Sequence, residues 1–169
     1  IGAVNTVKVT RRGGKAWLKG FNTDAPAFRD SLLNNLDTLP DTALVLGTGG
    51  AAKSVIHTLA ELNITAIPVS RKPVRGGYTY DDLPGYLISE AGIIVNATPV
   101  GMAPHTEAMP PINYNCLRER QLLFDLTYNP PVTAFLAMGE ERGCITVNGE
   151  EMFLIQAGLS WEIWNDEER

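Results

Sequence analysis

Hydrophobic positions form two patterns that alternate from about residue 24 to residue 148. Short apolar and β-branched runs predict buried strands, and segments with apolar residues three or four positions apart predict helices. The predicted strands cover 43–46, 64–69, 92–97, 121–126 and 144–147, and the predicted helices cover 25–39, 51–62, 81–91, 133–142 and 150–164. This alternation predicts an α/β protein with a doubly wound parallel sheet.

The two ends of the chain differ from this central pattern. Segments 1–9 and 15–21 are β-prone, and the intervening Gly13-Gly14 pair predicts a hairpin. The predicted helix at 150–164 is apolar nearly all round, so we expect it to pack against neighbours on more than one side.

A glycine turn follows the first buried strand of the predicted sheet. It carries the pattern G-x-G-x-x-A, with Gly47, Gly49 and Ala52 at the small-residue positions. Gly47 permits a sharp exit from the strand, Gly49 lets the backbone approach a pyrophosphate, and Ala52 keeps the helix near the sheet. The pattern predicts a dinucleotide site at the helix N-terminus, although a glycine-rich β–α turn that binds nothing remains the alternative.

The second strand ends in basic residues. An NAD-binding unit places Asp or Glu about here for the ribose 2′-hydroxyl, but this chain has Arg71 and Lys72, with no carboxylate until Asp81. A guanidinium suits a phosphate, so the expected cofactor is NADP. The alternative is a solvated basic loop end.

Other polar residues have ordinary structural explanations when each is taken alone. Asn96 to Pro99 could be a strand end with a proline stop, and Tyr128 an interface phenol. Asp24 could be a helix cap, Asn5 a strand-edge residue and Gln156 an exposed helix residue.

Composition excludes several classes of protein. The 169 residues carry a formal net charge of -5 without a basic cluster, which argues against a nucleic-acid surface. Cys116 and Cys144 lack the spacing of a metal site, so we expect no metal and a reducing cytosol. No apolar run reaches about 18 residues, so we expect no membrane span.

Six motifs together resemble shikimate dehydrogenase, in that family's order and over nearly the whole chain. The three most diagnostic are G-A-V-N-T at 2–6, K-G-F-N-T-D at 19–24 and N-A-T-P-V-G-M at 96–102. The other three are V-L-G-T-G-G-A-A at 45–52, the segment 125–130 and the segment 148–158.

The resemblance implies a Rossmann-like, NADP-dependent enzyme that interconverts 3-dehydroshikimate and shikimate. On the substrate side, Asn5 and Asp24 match polar substrate ligands, and Asp24, next to a catalytic lysine, is also the candidate catalytic residue of this chain. Tyr128 matches a substrate-contacting tyrosine, and Gln156 a substrate-binding glutamine.

The resemblance also implies positions that contact the cofactor. These are Gly47, Thr48, Gly49, Gly50, Ala51, Ser70, Arg71, Lys72, Thr98, Leu126 and Gly149. Two departures concern this set: the family usually has Asn-Arg-Thr where this chain has Ser70-Arg71-Lys72, and Glu150 and Glu151 follow Gly149 where a Gly-Leu pair is usual.

The family's N-terminal substrate lobe, which carries that lysine, is expected to be missing. The resemblance therefore divides the chain into a remnant of that lobe at 1–23, an NADP-binding domain at 24–148, and a terminal helix at 149–169 that returns to the lobe. We expect the isolated chain to be inactive, and a homodimer is one way to cover its ends. The alternatives are an NAD-dependent quinate/shikimate dehydrogenase and a non-catalytic NADP sensor.

Overall fold

A computed structural model describes residues 1–166 of the chain. This part contains eight strands, five α-helices and one short 3₁₀-helix at Tyr114–Cys116. The strands are β1 (Thr6–Arg12), β2 (Lys15–Phe21), β3 (Thr42–Leu46), β4 (Thr65–Ser70), β5 (Tyr78–Thr79), β6 (Ile93–Asn96), β7 (Leu122–Asp125) and β8 (Ile145–Val147). The helices are α1 (Asp24–Asn34), α2 (Gly50–Glu61), α3 (Gly85–Glu90), α4 (Ala134–Glu140) and α5 (Glu150–Asn165).

Strands β3 to β8 form one parallel sheet in the order β5-β4-β3-β6-β7-β8. After β3, the chain adds β4 and β5 on one side of that strand. It then crosses to the other side of β3, where it adds β6, β7 and β8 in turn. This is the strand order of a Rossmann fold, and it confirms the α/β prediction. The order reverses between β3 and β6, so the crevice for a ligand is expected at their carboxyl ends.

Helices cover both faces of the sheet because alternate strand residues point to opposite sides. On one face, Val45, Val95 and Phe124 pack with residues of α1 and α2. On the other, buried residues of β3, β6 and β7 pack with α3 and α4. The fully buried strand residues explain the continuous apolar runs of the sequence.

The hairpin of β1 and β2 lies outside this sheet. Gly13 and Gly14 form its turn with φ of 57° and 76°, a backbone region that glycine tolerates best. Helix α5 holds the hairpin: the Trp164 indole donates to the carbonyl of Val7 (3.2 Å), and the Lys8 ammonium donates to that of Asp166. Strand β2 is exposed except at Phe21, which is half-buried.

Several bounds differ from the prediction. Strand β1 begins at Thr6 and continues to Arg12, whereas the β-prone segment of the sequence is 1–9. Helix α1 ends at Asn34 instead of continuing to Leu39, and α3 begins only after Pro84. Strand β5, with two residues, was not predicted at all.

Candidate functional site

The glycine turn after β3 lies at the switch point of the sheet. Gly47 has φ of +113°, and a Cβ there would lie 3.0 Å from the Ala97 carbonyl oxygen. Its N–H donates to the carbonyl of Val69 at the end of β4 (2.8 Å). Position 47 therefore needs glycine both for its backbone conformation and for the close approach of the loop after β6.

The N-terminus of α2 is open to a ligand. Gly49 is the N-cap, no side chain caps the helix, and its first turn has no acidic residue. A Cβ on Gly49 would meet nothing within 4 Å, so space is free beside the backbone. The first N–H groups of the helix have no intrahelical partner and lie at its positive end. This geometry fits a pyrophosphate.

The basic residues after β4 lie beside this turn. Arg71 and Lys72 are exposed, and among residues 1–166 neither forms a salt bridge. The Ser70 hydroxyl instead donates to the carbonyl of Lys72, which shapes the loop. Two cations without a carboxylate partner remain available to a phosphate.

A cleft of about 500 Å³ opens at the carboxyl ends of β6 and β7. Its lining comes from the start of α2 and the loops after those strands: Ala51, Ala97, Thr98, Pro99, Met102, Ala103, Leu126, Thr127, Tyr128 and Asn129. Three predicted cofactor positions, Ala51, Thr98 and Leu126, thus line one cleft.

A buried carboxylate joins the two loops of this cleft. Asp125 accepts hydrogen bonds from the Asn96 amide (3.1 Å), the Thr127 N–H (2.9 Å) and the Thr133 hydroxyl (2.6 Å). Asn96 in turn accepts from the Thr98 hydroxyl (2.6 Å). Burial raises the pKa of Asp125, and these hydrogen bonds only partly offset that effect.

A second cleft of about 280 Å³ adjoins the first and shares Ala51, Leu126 and Tyr128 with it. All four predicted substrate-side residues line this second cleft: Asn5, Asp24, Tyr128 and Gln156. Gly149 also lines it, beside Leu126. Residues more than 150 positions apart therefore converge on one small space.

Asp24 and Asn5 are held in a shared hydrogen-bond network. The Asn5 amide donates to Asp24 (2.7 Å) and to the Thr23 hydroxyl (2.8 Å), and its oxygen accepts from the Thr23 N–H (2.8 Å). The partial burial of Asp24 raises the pKa of its carboxyl, and the bond from Asn5 lowers it by less. The carboxyl is thus fixed in place with a raised proton affinity.

Comparison with known proteins finds shikimate dehydrogenases similar to this chain. A shikimate dehydrogenase (NADP(+)) of Prochlorococcus marinus is 33% identical over 184 residues, and one of Methanococcus maripaludis is 36% identical over 179 residues. The chain is homologous to shikimate dehydrogenases. Each match covers 97% of this chain but 63% of the relative, and it corresponds to the relatives' C-terminal portion. No family model matches the chain.

A solved shikimate dehydrogenase supports the homology. The Thermus thermophilus shikimate 5-dehydrogenase in complex with NADP(H) and shikimate superposes with a TM-score of 0.80 at 33% identity. The superposition covers 97% of this chain and 62% of that enzyme. The Rossmann-like fold is therefore common to both.

The sequence did not single out three residues that organise this site. Thr23 is buried and contacts both Asn5 and Gln156, the latter through a long 3.4 Å hydrogen bond. Ser160 joins Thr23 (3.1 Å) from one helical turn beyond Gln156. Phe153 stacks on Tyr128. The sequence offered one weak signal for each of these residues. Thr23 lies inside the motif K-G-F-N-T-D, and Phe153 and Ser160 lie on the same predicted helix as Gln156.

Neither a candidate metal centre nor a membrane-spanning helix occurs in the described part of the chain. Residues 1–166 contain no group of three or more His, Cys, Asp or Glu side chains that could hold a metal ion. Over the same residues, every helix is too short or too polar to cross a membrane.

Proposed function

We propose that this chain is the NADP-binding portion of a shikimate dehydrogenase, which interconverts 3-dehydroshikimate and shikimate as part of aromatic amino acid biosynthesis. One observation carries the proposal: the large cleft beside the glycine turn and the small polar cleft share the wall of Ala51, Leu126 and Tyr128. A cofactor in the first and a substrate in the second would meet at that wall. Their reacting carbons would then be close enough for hydride transfer.

The residues in and around the large cleft fit the cofactor. The open N-terminus of α2, from Gly49 to Ala51, would hold the pyrophosphate, and Arg71 with Lys72 would hold the 2′-phosphate. Leu126 and Gly149 would flank the nicotinamide at the shared wall. Bound NADP supplies the hydride donor or acceptor.

The residues of the small cleft fit a polyhydroxylated acid. Asp24 offers carboxylate oxygens to a substrate hydroxyl, and Asn5 keeps that carboxyl in place (2.7 Å). Tyr128 and Gln156 bring a phenol and an amide to the same space. In the proposed enzyme, Asp24 lies beside the lysine of the substrate lobe, which moves the proton.

The hairpin and α5 offer a surface for that lobe. Trp17, Leu18 and Trp161 are 63%, 72% and 66% exposed, a high exposure for large apolar side chains. We propose that segments 1–23 and 149–169 pack against the lobe, as the division expected from the sequence requires. A homodimer would cover the same exposed side chains. The cytosolic location of the protein remains a prediction.

The proposal is tested by assaying the isolated chain with shikimate and NADP+. We expect saturable NADP+ binding but negligible shikimate-dependent NADPH formation, because among the described residues that line the small cleft there is no lysine to accept the proton. The measurement is absorbance at the NADPH band with equilibrium titration in parallel. Turnover at ordinary enzyme rates would contradict the proposal, since it would show that the chain contains all the residues it needs.

Replacing Arg71 tests the assignment of the cofactor. Arg71→Gln removes a charged donor to the 2′-phosphate, and such hydrogen bonds contribute about 1.5–3 kcal/mol. We therefore expect the affinity for NADP+ to fall about 10- to 100-fold while the affinity for NAD+ stays within about twofold. Titration calorimetry measures both. Arg29→Gln, at an exposed arginine on α1 paired with Asp30, is the matched control.

Equal losses for both cofactors would reject the role of Arg71. Tighter binding of NAD+ by the unmodified chain would instead favour the NAD-dependent quinate/shikimate dehydrogenase. A non-catalytic sensor is disfavoured because sensing NADP does not require the four polar side chains of the small cleft.

A further inference from the structure

The rings of Tyr128 and Phe153 form a stacked pair at the edge of the small cleft. Their centroids are 4.6 Å apart and their planes differ by 24°. Tyr128 lines both clefts, whereas Phe153 lines only the small one. The pair therefore forms part of the wall between the two spaces.

The backbone explains why these two side chains meet. The Gly149 N–H donates to the carbonyl of Thr127 (3.0 Å), and a Cβ on Gly149 would lie 2.1 Å from the carbonyl oxygen of Leu126. The start of α5 is thus pressed against the segment that leads into Tyr128. Phe153, one turn along the helix, comes to lie beside the phenol ring as a consequence.

The stack on Phe153 is the ring contact that the structure gives Tyr128. The Tyr128 side chain is 46% exposed, and its hydroxyl makes no hydrogen bond with any residue in the part of the chain that the structure describes. An exposed ring on a loop would otherwise sample several rotamers. The phenol is held by its face and leaves its hydroxyl available to a ligand.

We propose that Phe153 is a positioning residue that fixes the Tyr128 phenol on the wall between the two clefts. The effect of this positioning on ligands rests on the proposed function. In that function, ligands in the two clefts would contact a Tyr128 ring that is already in place. Its structural half, the ordering of Tyr128, stands independently of any ligand. An aliphatic side chain at position 153, which is 40% exposed, would keep an apolar residue on α5 but give up the ring–ring contact.

The test uses the whole chain labelled with 3-fluorotyrosine, in which each of the 5 tyrosines gives its own ¹⁹F resonance. Tyr128→Phe identifies the resonance of Tyr128. In Phe153→Leu we expect that resonance to move towards the position of free tyrosine, because the ring current of Phe153 is lost. The other four resonances should stay in place, which shows that the fold is intact. Phe153→Trp should restore the displacement.

Leu154→Ala is the matched control, because Leu154 is the next residue of α5, is 63% exposed and lines neither cleft. It should leave the Tyr128 resonance unchanged. An unchanged Tyr128 resonance in Phe153→Leu, or an equal displacement in Leu154→Ala, would overturn the proposal.

A titration with NADP+ separates this proposal from the proposed function. If the chain binds NADP+, Phe153→Leu should weaken binding about 2- to 12-fold, the range that one aromatic pair contributes, and Phe153→Trp should restore it. Equal affinities would overturn the functional half of the proposal. If no variant binds NADP+, the proposed function fails, whereas the ¹⁹F displacement still decides whether Phe153 orders Tyr128.

Discussion

Replacing Gly149 by alanine is expected to destabilise the chain by about 3 kcal/mol, the upper range for an overpacked site. A Cβ at this position would lie 2.1 Å from the carbonyl oxygen and 2.6 Å from the carbonyl carbon of Leu126. Both are backbone atoms, so neither can rotate away. Helix α5 would have to move, which would break the hydrogen bond from Gly149 to Thr127 and disturb the wall shared by the clefts.

The matched control is Gly158→Ala in the middle of the same helix. Position 158 has nothing within 4 Å of the added carbon, so alanine should stabilise the helix by about 0.5–1 kcal/mol. Thermal unfolding should show Gly149→Ala melting about 6–12 °C lower than the unmodified chain. An equal melting temperature for the unmodified chain and Gly149→Ala would show that the close contact between α5 and Leu126 is not present in solution.

Replacing Asp125 by alanine is expected to cost a similar amount, about 3 kcal/mol. The change leaves three buried donors without their acceptor, on Asn96, Thr127 and Thr133, and each such loss costs about 1–3 kcal/mol. Removal of a buried charge offsets part of that loss. Chemical denaturation measures the free energy of unfolding. A loss below about 1 kcal/mol would mean that Asp125 does not join the two loops.

Asp125 is also expected to make the stability of the chain depend on pH. Burial raises its pKa in the folded chain above the ordinary value of 3.8, so the folded chain binds this proton more tightly than the unfolded chain. Its contribution is therefore full below pH 3.8 and is lost as the pH rises through the folded pKa. Asp125→Asn keeps an acceptor oxygen without titrating, so the unmodified chain should lose stability relative to this variant over that interval. A constant difference across the interval would contradict the assignment.

Most of the fold could be predicted because the sheet strands are buried on both faces. Four-residue runs such as Ile93–Asn96 and Leu122–Asp125 have no exposed position, so apolar runs between loops identify them. The two residues of β5 carry no periodicity, and only their pairing with Val69 and Ser70 makes them a strand. The early end of α1 follows from Asn34 and Asn35, which are weak helix formers, although Leu36 beyond them still packs on the core.

The residues of the site could be predicted from the sequence, but the contacts that hold them in place could not. Motifs marked Asn5, Asp24, Tyr128 and Gln156, and the structure brings all four into one small cleft. The motifs did not show how these four side chains are held in place. Thr23, Ser160 and Phe153 hold them through contacts between distant parts of the chain. Asp125 is a similar case: it ends a buried β-strand, and its partner Asn96 is recognisable only after β6 and β7 have paired.

The central claim is that the glycine turn and the basic residues after β4 together form an NADP site. Parallel calorimetric titrations of the unmodified chain with NADP+ and NAD+ test it most directly. We expect saturable binding of NADP+ at one site per chain, with an affinity at least about tenfold higher than that for NAD+, because one charged contact to the 2′-phosphate contributes that much. An absence of saturable NADP+ binding, or tighter binding of NAD+, would contradict it.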